Sequence, residues 1–162
     1  MRLRKIITRG WNVSLEMSEL LPGPPEVVWE LITDWEHQDD WMLEATNFEV
    51  LSEQRDGIGV RAEATIQIAG IKTRDEVRVV AWEPPKLLSI EHLGWVSGRG
   101  VLHLTPVAEG THIYWREELR PPLGIAGATG LTLLAPIMRR IFKRDLRILA
   151  ALTRAATRGQ PA

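Results

Sequence analysis

Between Val60 and Leu119 the chain repeats one pattern, short runs that alternate apolar with polar residues, each closed by a turn signal. No other feature limits its fold as much. Val60, Ala62, Ala64, Ile66 and Ile68 stand against Arg61, Glu63, Thr65 and Gln67. A period of two places the two sets on opposite faces of a strand, one buried and one wet. Gly70 then turns the chain into residues 71–82, whose wet face carries Lys72, Arg74, Glu76 and Arg78. Glu83-Pro84-Pro85 ends that run, and strands over 87–93, 101–107 and 111–119 follow, the last two joined by a tight hairpin at Ala108-Glu109-Gly110. Upstream, Val13, Leu15 and Met17 alternate within a strand over 11–20, and residues 48–52 form another. Arg55-Asp56-Gly57 reads as a hairpin turn, and Gly94 to Gly100 as a second hairpin. Successive hairpins predict an antiparallel meander of about seven strands.

Two segments carry the helical period instead. Pro25 suits the first turn of a helix and Glu26 favours its positive end, so Val27, Val28, Leu31 and Ile32 predict a short helix over 25–33. Residues 34–42 continue as a second short helix or turn, anchored by Trp35 and Trp41. After Arg120-Pro121-Pro122, residues 123–130 read as an apolar Gly/Ala-rich loop. From Leu131 to about Thr157 the wheel gathers Leu134, Met138, Ile141, Ile148, Leu149 and Leu152 on one side, with Arg139, Arg140, Lys143, Arg147 and Arg154 opposite. Pro136 delays or kinks this long amphipathic helix. The apolar run 123–138 is too short and too rich in Gly and Pro for a membrane span. The expected fold is α+β: a curved antiparallel sheet wrapped around a long C-terminal helix, with two short helices after the first strand. One domain covers 1–157, and 158–162 form a frayed tail.

Charge is unevenly placed. Residues 11–130 hold nine basic and twenty acidic side chains, whereas 1–10 and 131–157 are basic. The basic residues lack interleaved aromatics on one surface, so no nucleic-acid partner is expected. The absence of cysteine removes thiolate chemistry and fits a reducing, cytoplasmic setting. Met1 to Ile7 are basic but lack a long apolar run, so no signal peptide is read there. His37, His92, His103 and His112 are scattered without an HExxH or HxH set, so neither a metal nor another cofactor is expected. No phosphate-binding glycine loop and no GxSxG elbow is present.

Local motifs add a resemblance. Pro24-Pro25-Glu26-Val27-Val28-Trp29-Glu30-Leu31-Ile32-Thr33-Asp34 with Trp41, then Trp82-Glu83-Pro84-Pro85, and Leu104-Thr105-Pro106 with Gly110-Thr111, resemble the START/Bet v 1-like (SRPBCC, helix-grip) superfamily. Within it they are most similar to the polyketide cyclase/dehydrase and lipid-transport branch. The likeness spans about residues 11–155. It implies a sheet gripping the last helix and a cavity between them for a lipid, polyketide, quinone or aromatic compound. Such motifs specify fold rather than chemistry.

Polar residues on the apolar face are the informative ones, because burial obliges them to find partners or a ligand. Asp75 shares phase with Ile71, Val77 and Val79, and Glu117 with Ile113, Trp115 and Leu119. His92 shares phase with Leu88 and Ile90, and Asp145 lies about 20° from Leu134 on the helical wheel. These four either face a ligand or pair locally with Arg74, Arg116, Arg144 or another neighbour. Asp75, His92 and Glu117 are the candidates for acid/base work. Trp41, Met42, Ala64, Ile66, Val77, Ile90, Trp95, Trp115, Leu134, Met138, Ile141 and Phe142 are candidates for apolar lining, or for ordinary core.

Three functions fit. The first is a binder or carrier of a small hydrophobic molecule. The second is a cyclase/dehydrase-type enzyme, which requires Asp75, His92 and Glu117 to converge on one point in the cavity. The third is a docking module that meets a protein or an anionic membrane through 121–136 and the basic helix face. Oligomeric state is left open.

Overall fold

The structure, a computed structural model, describes residues 11–159. The basic segment 1–10, where no signal peptide was read, and residues 160–162 of the expected tail lie outside the described residues. Seven strands form one antiparallel sheet in the order β1-β7-β6-β5-β4-β3-β2. They are β1 Val13–Leu21, β2 Ala45–Val50, β3 Arg61–Ile68, β4 Ile71–Glu83, β5 Leu87–His92, β6 Ser97–Val107 and β7 Gly110–Arg120. Between β1 and β2 lie α1, Pro25–Thr33, and a 3-10 turn over Trp35–Asp40. The last element is α2, Gly124–Gly159. The meander from β2 to β7 runs in chain order across the sheet, and β1 closes the far side by pairing with β7, Met17 opposite Trp115.

The alternation has the outcome expected of a one-sided sheet. Leu15, Met17, Ile113, Trp115 and Leu119 are buried on the inner face. The outer face carries cross-strand pairs of Arg61 with Glu76, Arg74 with Glu63 and Arg78 with Glu91. α2 closes the inner side with Ala135, Met138, Phe142, Asp145, Leu146, Leu149 and Thr153, spaced three or four residues apart except for one adjacent pair. The resemblance motifs act as joints. Trp29 of α1 packs edge-on against Trp82 of β4 with ring centres 5.0 Å apart, and the Thr111 hydroxyl donates to the Gly23 carbonyl at 2.8 Å, tying β7 to the turn before α1.

Four expectations need correction. The segment 123–130 is not a loop: α2 begins at Gly124 and runs 36 residues, to Gly159, two beyond the expected end. Leu123 and Gly124 turn the chain with φ of 67° and 55°. The helix then passes so close to Pro122 that a Cβ at Gly127 would overlap the Pro122 carbonyl oxygen. Low helix propensity is overruled here by tertiary packing. Pro136 sits inside α2 on the exposed side, where the carbonyl it leaves unpaired faces water. By length and composition α2 would suffice to cross a membrane; its first buried residues are Ala135, Met138 and Phe142, while Ile125, Leu133 and Ile137 are exposed.

Second, β2 is Ala45–Val50, earlier than the expected 48–52. A bulge between Thr46 and Glu49, with Asn47 at φ 53°, breaks its alternation and hides it from a period-two reading. Third, Arg55-Asp56-Gly57 is not a tight hairpin turn. Residues 51–60 form a longer connection, in which the Gln54 side-chain amide donates to the carbonyls of Asp56 and Ile58. The Trp35 indole N–H donates to Arg55 O at 2.9 Å and anchors it. Fourth, β6 starts at Ser97 rather than 101: Gly94 to Gly100 does carry the β5–β6 hairpin, His92 opposite Gly98, but Gly98 and Gly100 already pair with Leu119 and Glu117 of β7.

Candidate functional site

Between the inner face and α2 lies a cavity of about 370 Å3, within the usual range for a small-molecule site. Of the residues proposed from sequence, Trp41, Met42, Ala64, Ile66, Asp75, Val77, Ile90, His92, Trp95, Trp115, Glu117, Leu134, Met138 and Phe142 all line it. Ile141 and Asp145 do not. Ile141, one position before Phe142, is half-buried and packs against the core instead, and Asp145 is fully buried beneath the wall. Trp95 stands at the mouth, 63% exposed. The aromatic wall is contiguous, since Trp115 contacts Phe142 at 5.0 Å and Trp41 at 6.1 Å between ring centres. Pro121, Pro122, Leu123 and Gly127 form the upper rim; sequence reasoning assigned 121–136 to docking and named no lining residue in it before Leu134.

One polar chain crosses this apolar space. His92 Nδ1 lies 2.7 Å from Asp75 Oδ2, and its Nε2 lies 3.1 Å from Glu117 Oε2. The Trp115 indole N–H donates to the other Glu117 oxygen at 2.7 Å. Neighbouring strands bring the three titratable groups together: Val77 of β4 pairs with His92 of β5, and Gly100 of β6 with Glu117 of β7. Gly100 is required there, since a Cβ would collide with Glu117 Oε1. Among the described residues no arginine pairs with Asp75 or Glu117: Arg74 turns to Glu63, and Arg116 to Glu16 and Glu118. Burial by itself would lower the His92 pKa, but the charge of Glu117 and the hydrogen bonds to Asp75 and Glu117 outweigh it and push it up to about 10. His92 is therefore an imidazolium at neutral pH.

A second cluster lies behind the wall. Arg144 bridges two carboxyls, with its guanidinium 3.0 Å from Glu44 Oε2 and 2.6 Å from Asp145 Oδ1. The arginine partner expected for Asp145 is thus Arg144. Burial first, and then the Asp145 charge, raise Glu44 to about 8, and burial likewise raises Asp145 against the opposing pull of Arg144. Glu44 also lines the cavity. It went unnoticed in the sequence because residues 41–44 carry no period that assigns a face. Among the described residues no group of His, Cys, Asp and Glu side chains is arranged to hold a metal ion.

This architecture is matched from outside. A family model for polyketide cyclase / dehydrase and lipid transport matches residues 12–154. The chain belongs to that family. Solved structures with the same fold include TTHA0849 from Thermus thermophilus, at 21% identity and TM-score 0.77, over 90% of this chain and 99% of that one. The Zhui aromatase/cyclase from a Streptomyces species aligns at 14% identity and TM-score 0.76, over 91% and 97%. The di-domain aromatase/cyclase StfQ of the steffimycin biosynthetic pathway aligns at 12% identity and TM-score 0.73, over 90% of this chain and 52% of that one. No curated protein matches the chain in sequence. These likenesses bear on the fold of this polyketide cyclase/dehydrase family member; its chemistry rests on its own cavity.

Proposed function

We propose that this protein binds a small hydrophobic molecule in the cavity between its sheet and α2. The observation that carries the reading is the apolar cavity of about 370 Å3, open at one side and walled by Trp41, Trp115 and Phe142. A solid core would have left no such space. Leu123, Ile125 and Leu133, exposed beside the mouth, suit the entry of an apolar ligand. They would equally serve the docking reading, whose test is salt-sensitive binding to anionic vesicles. The lack of cysteine supports a cytoplasmic setting. Native mass spectrometry of freshly purified protein tests the binding reading. A co-purifying apolar compound, lost after denaturation and refolding, is the expected result. Protein that is clean of ligand and binds no apolar fluorophore would end it.

One observation favours a second, enzymatic reading. Asp75, His92 and Glu117 converge, as acid/base chemistry in the manner of aromatase/cyclases requires. Against it, both ring nitrogens are engaged by carboxylates, and a group titrating near 10 is a poor proton shuttle at neutral pH. Binding is therefore the better-supported function.

A further inference from the structure

Which end group a ligand presents to this cavity follows from the proton count of the Asp75–His92–Glu117 chain. Each ring nitrogen of His92 faces a carboxylate oxygen, at 2.7 and 3.1 Å. Two nitrogen–oxygen contacts need two protons, since a lone pair facing a carboxylate repels it. Two protons shared among an imidazole and two carboxylates leave the chain with a net charge of about −1. Every donor in it is thereby spent internally. Both Glu117 oxygens are also occupied, one by Trp115 Nε1 and one by His92. What remains is Asp75 Oδ1, which accepts no hydrogen bond among the described residues and is not fully enclosed.

Of the other donors around the cavity, the Thr73 hydroxyl is free of a hydrogen bond among the described residues and uncharged; the rest are committed or out of reach. The Gln38 amide donates to the carbonyls of Ile32 and Asp34, and the Trp35 indole to Arg55 O. Trp41 Nε1 has no partner among the described residues but is sealed from the cavity surface. Apart from His92, the only lining cation among the described residues is Arg74, which points outward to Glu63 with 76% of its side chain exposed. Trp95, directly after the Gly94 backbone that packs on Asp75, adds an aromatic surface of the kind that attracts cations.

We propose that the ligand is a hydrophobic molecule bearing a hydrogen-bond donor, a protonated amine or a hydroxyl, which it gives to Asp75 Oδ1. Ligands that end in a carboxylate are disfavoured because the polar chain repels an anion, and a bare acceptor can reach only the Thr73 hydroxyl while leaving Asp75 Oδ1 without a donor. This rests on the binding reading above and specifies its ligand.

The test uses four probes on one naphthalene body: naphthylmethylamine, naphthylmethanol, its methyl ether and naphthylacetate. Binding at pH 7 is read by tryptophan quenching and calorimetry on the full chain. The expected order is amine, then alcohol, then ether, then carboxylate, with the amine on the order of tenfold or more tighter than the ether. Asp75→Asn is expected to shrink the amine-to-ether ratio toward one. An ether or carboxylate that binds as tightly as the amine would overturn the proposal while leaving the binding reading intact. So would an amine preference that survives in Asp75→Asn; should that variant not fold, the wild-type order alone decides. No binding by any of the four would overturn the binding reading and this proposal with it.

Discussion

His92 and Glu117 meet inside the cavity, Nε2 of one 3.1 Å from Oε2 of the other, across 25 residues of sequence and an intervening strand. Together with Asp75 they place a cation between two anions in an otherwise apolar space. The arrangement depends for its stability on keeping all three members in place.

That dependence fixes a pH response. His92 has a folded pKa raised from 6.5 to about 10, so the folded state binds its proton more tightly than the unfolded state. Its contribution is complete below about pH 6.5 and is lost as pH climbs through about 10. Nitrogen-detected NMR should show the His92 ring still protonated at about pH 8, and an inflection near 6.5 would contradict the ion-pair geometry. His92→Ala should cost about 3 kcal/mol in urea unfolding at about pH 7, because two buried carboxylates then face each other.

Glu44 gives a second response of the same sign. Its folded pKa is raised from 4.5 to about 8, chiefly by burial and then by Asp145. An acid of this kind favours the folded state while protonated, so stability declines as pH rises from about 4.5 to 8. Glu44→Gln keeps the shape and removes the ionisation. Its unfolding midpoint should therefore fall less than that of the wild type between about pH 5 and 9, and parallel curves would show that Glu44 does not titrate in this range.

Two glycines three residues apart in α2 should respond oppositely to alanine. At Gly127 the new Cβ overlaps the backbone carbonyl of Pro122, which cannot move without shifting the turn, so Gly127→Ala should lose about 1–3 kcal/mol. At Gly130 nothing lies within 4 Å, and Gly130→Ala should gain about 0.5–1 kcal/mol from the stiffer unfolded chain. Thermal midpoints that moved together would contradict a helix start at Gly124.

Leu134 is half-buried and lines the cavity from α2. Leu134→Trp should fill part of the space. Uptake of an apolar fluorophore should drop on the order of tenfold, with stability held to about 1–3 kcal/mol of the wild type. Undiminished uptake would place the ligand elsewhere.

Much of this was legible because strands announce their faces. Asp75 and Glu117 were assigned to the inner side by phase alone, and His92 joined them although its strand is only six residues long. Their mutual pairing was not legible: period places a residue on a face but says nothing of its neighbour across the sheet. Local arginines looked like the natural partners, and for Asp75 and Glu117 they are instead drawn to acids on the outer face. Glu44 escaped notice for a related reason, since an irregular segment has no phase. The segment 123–130 was misread because glycine and alanine signal little locally, and its helix is held by its contact with Pro122 and by the core that continues beyond Leu131.

Alternation, turn residues and one helical stripe, all short-range properties, sufficed by themselves to determine a one-sided antiparallel sheet covered by a long C-terminal helix. They act between residues two to four positions apart, so they can be read along the chain. Only the tertiary structure decided that the covered face leaves a cavity, that Asp75, His92 and Glu117 meet within it, and that Glu44 joins Asp145 behind its wall. Those outcomes depend on strand register and on how sheet and helix fit together, and distances between groups tens of residues apart in the chain exist only once the fold has formed.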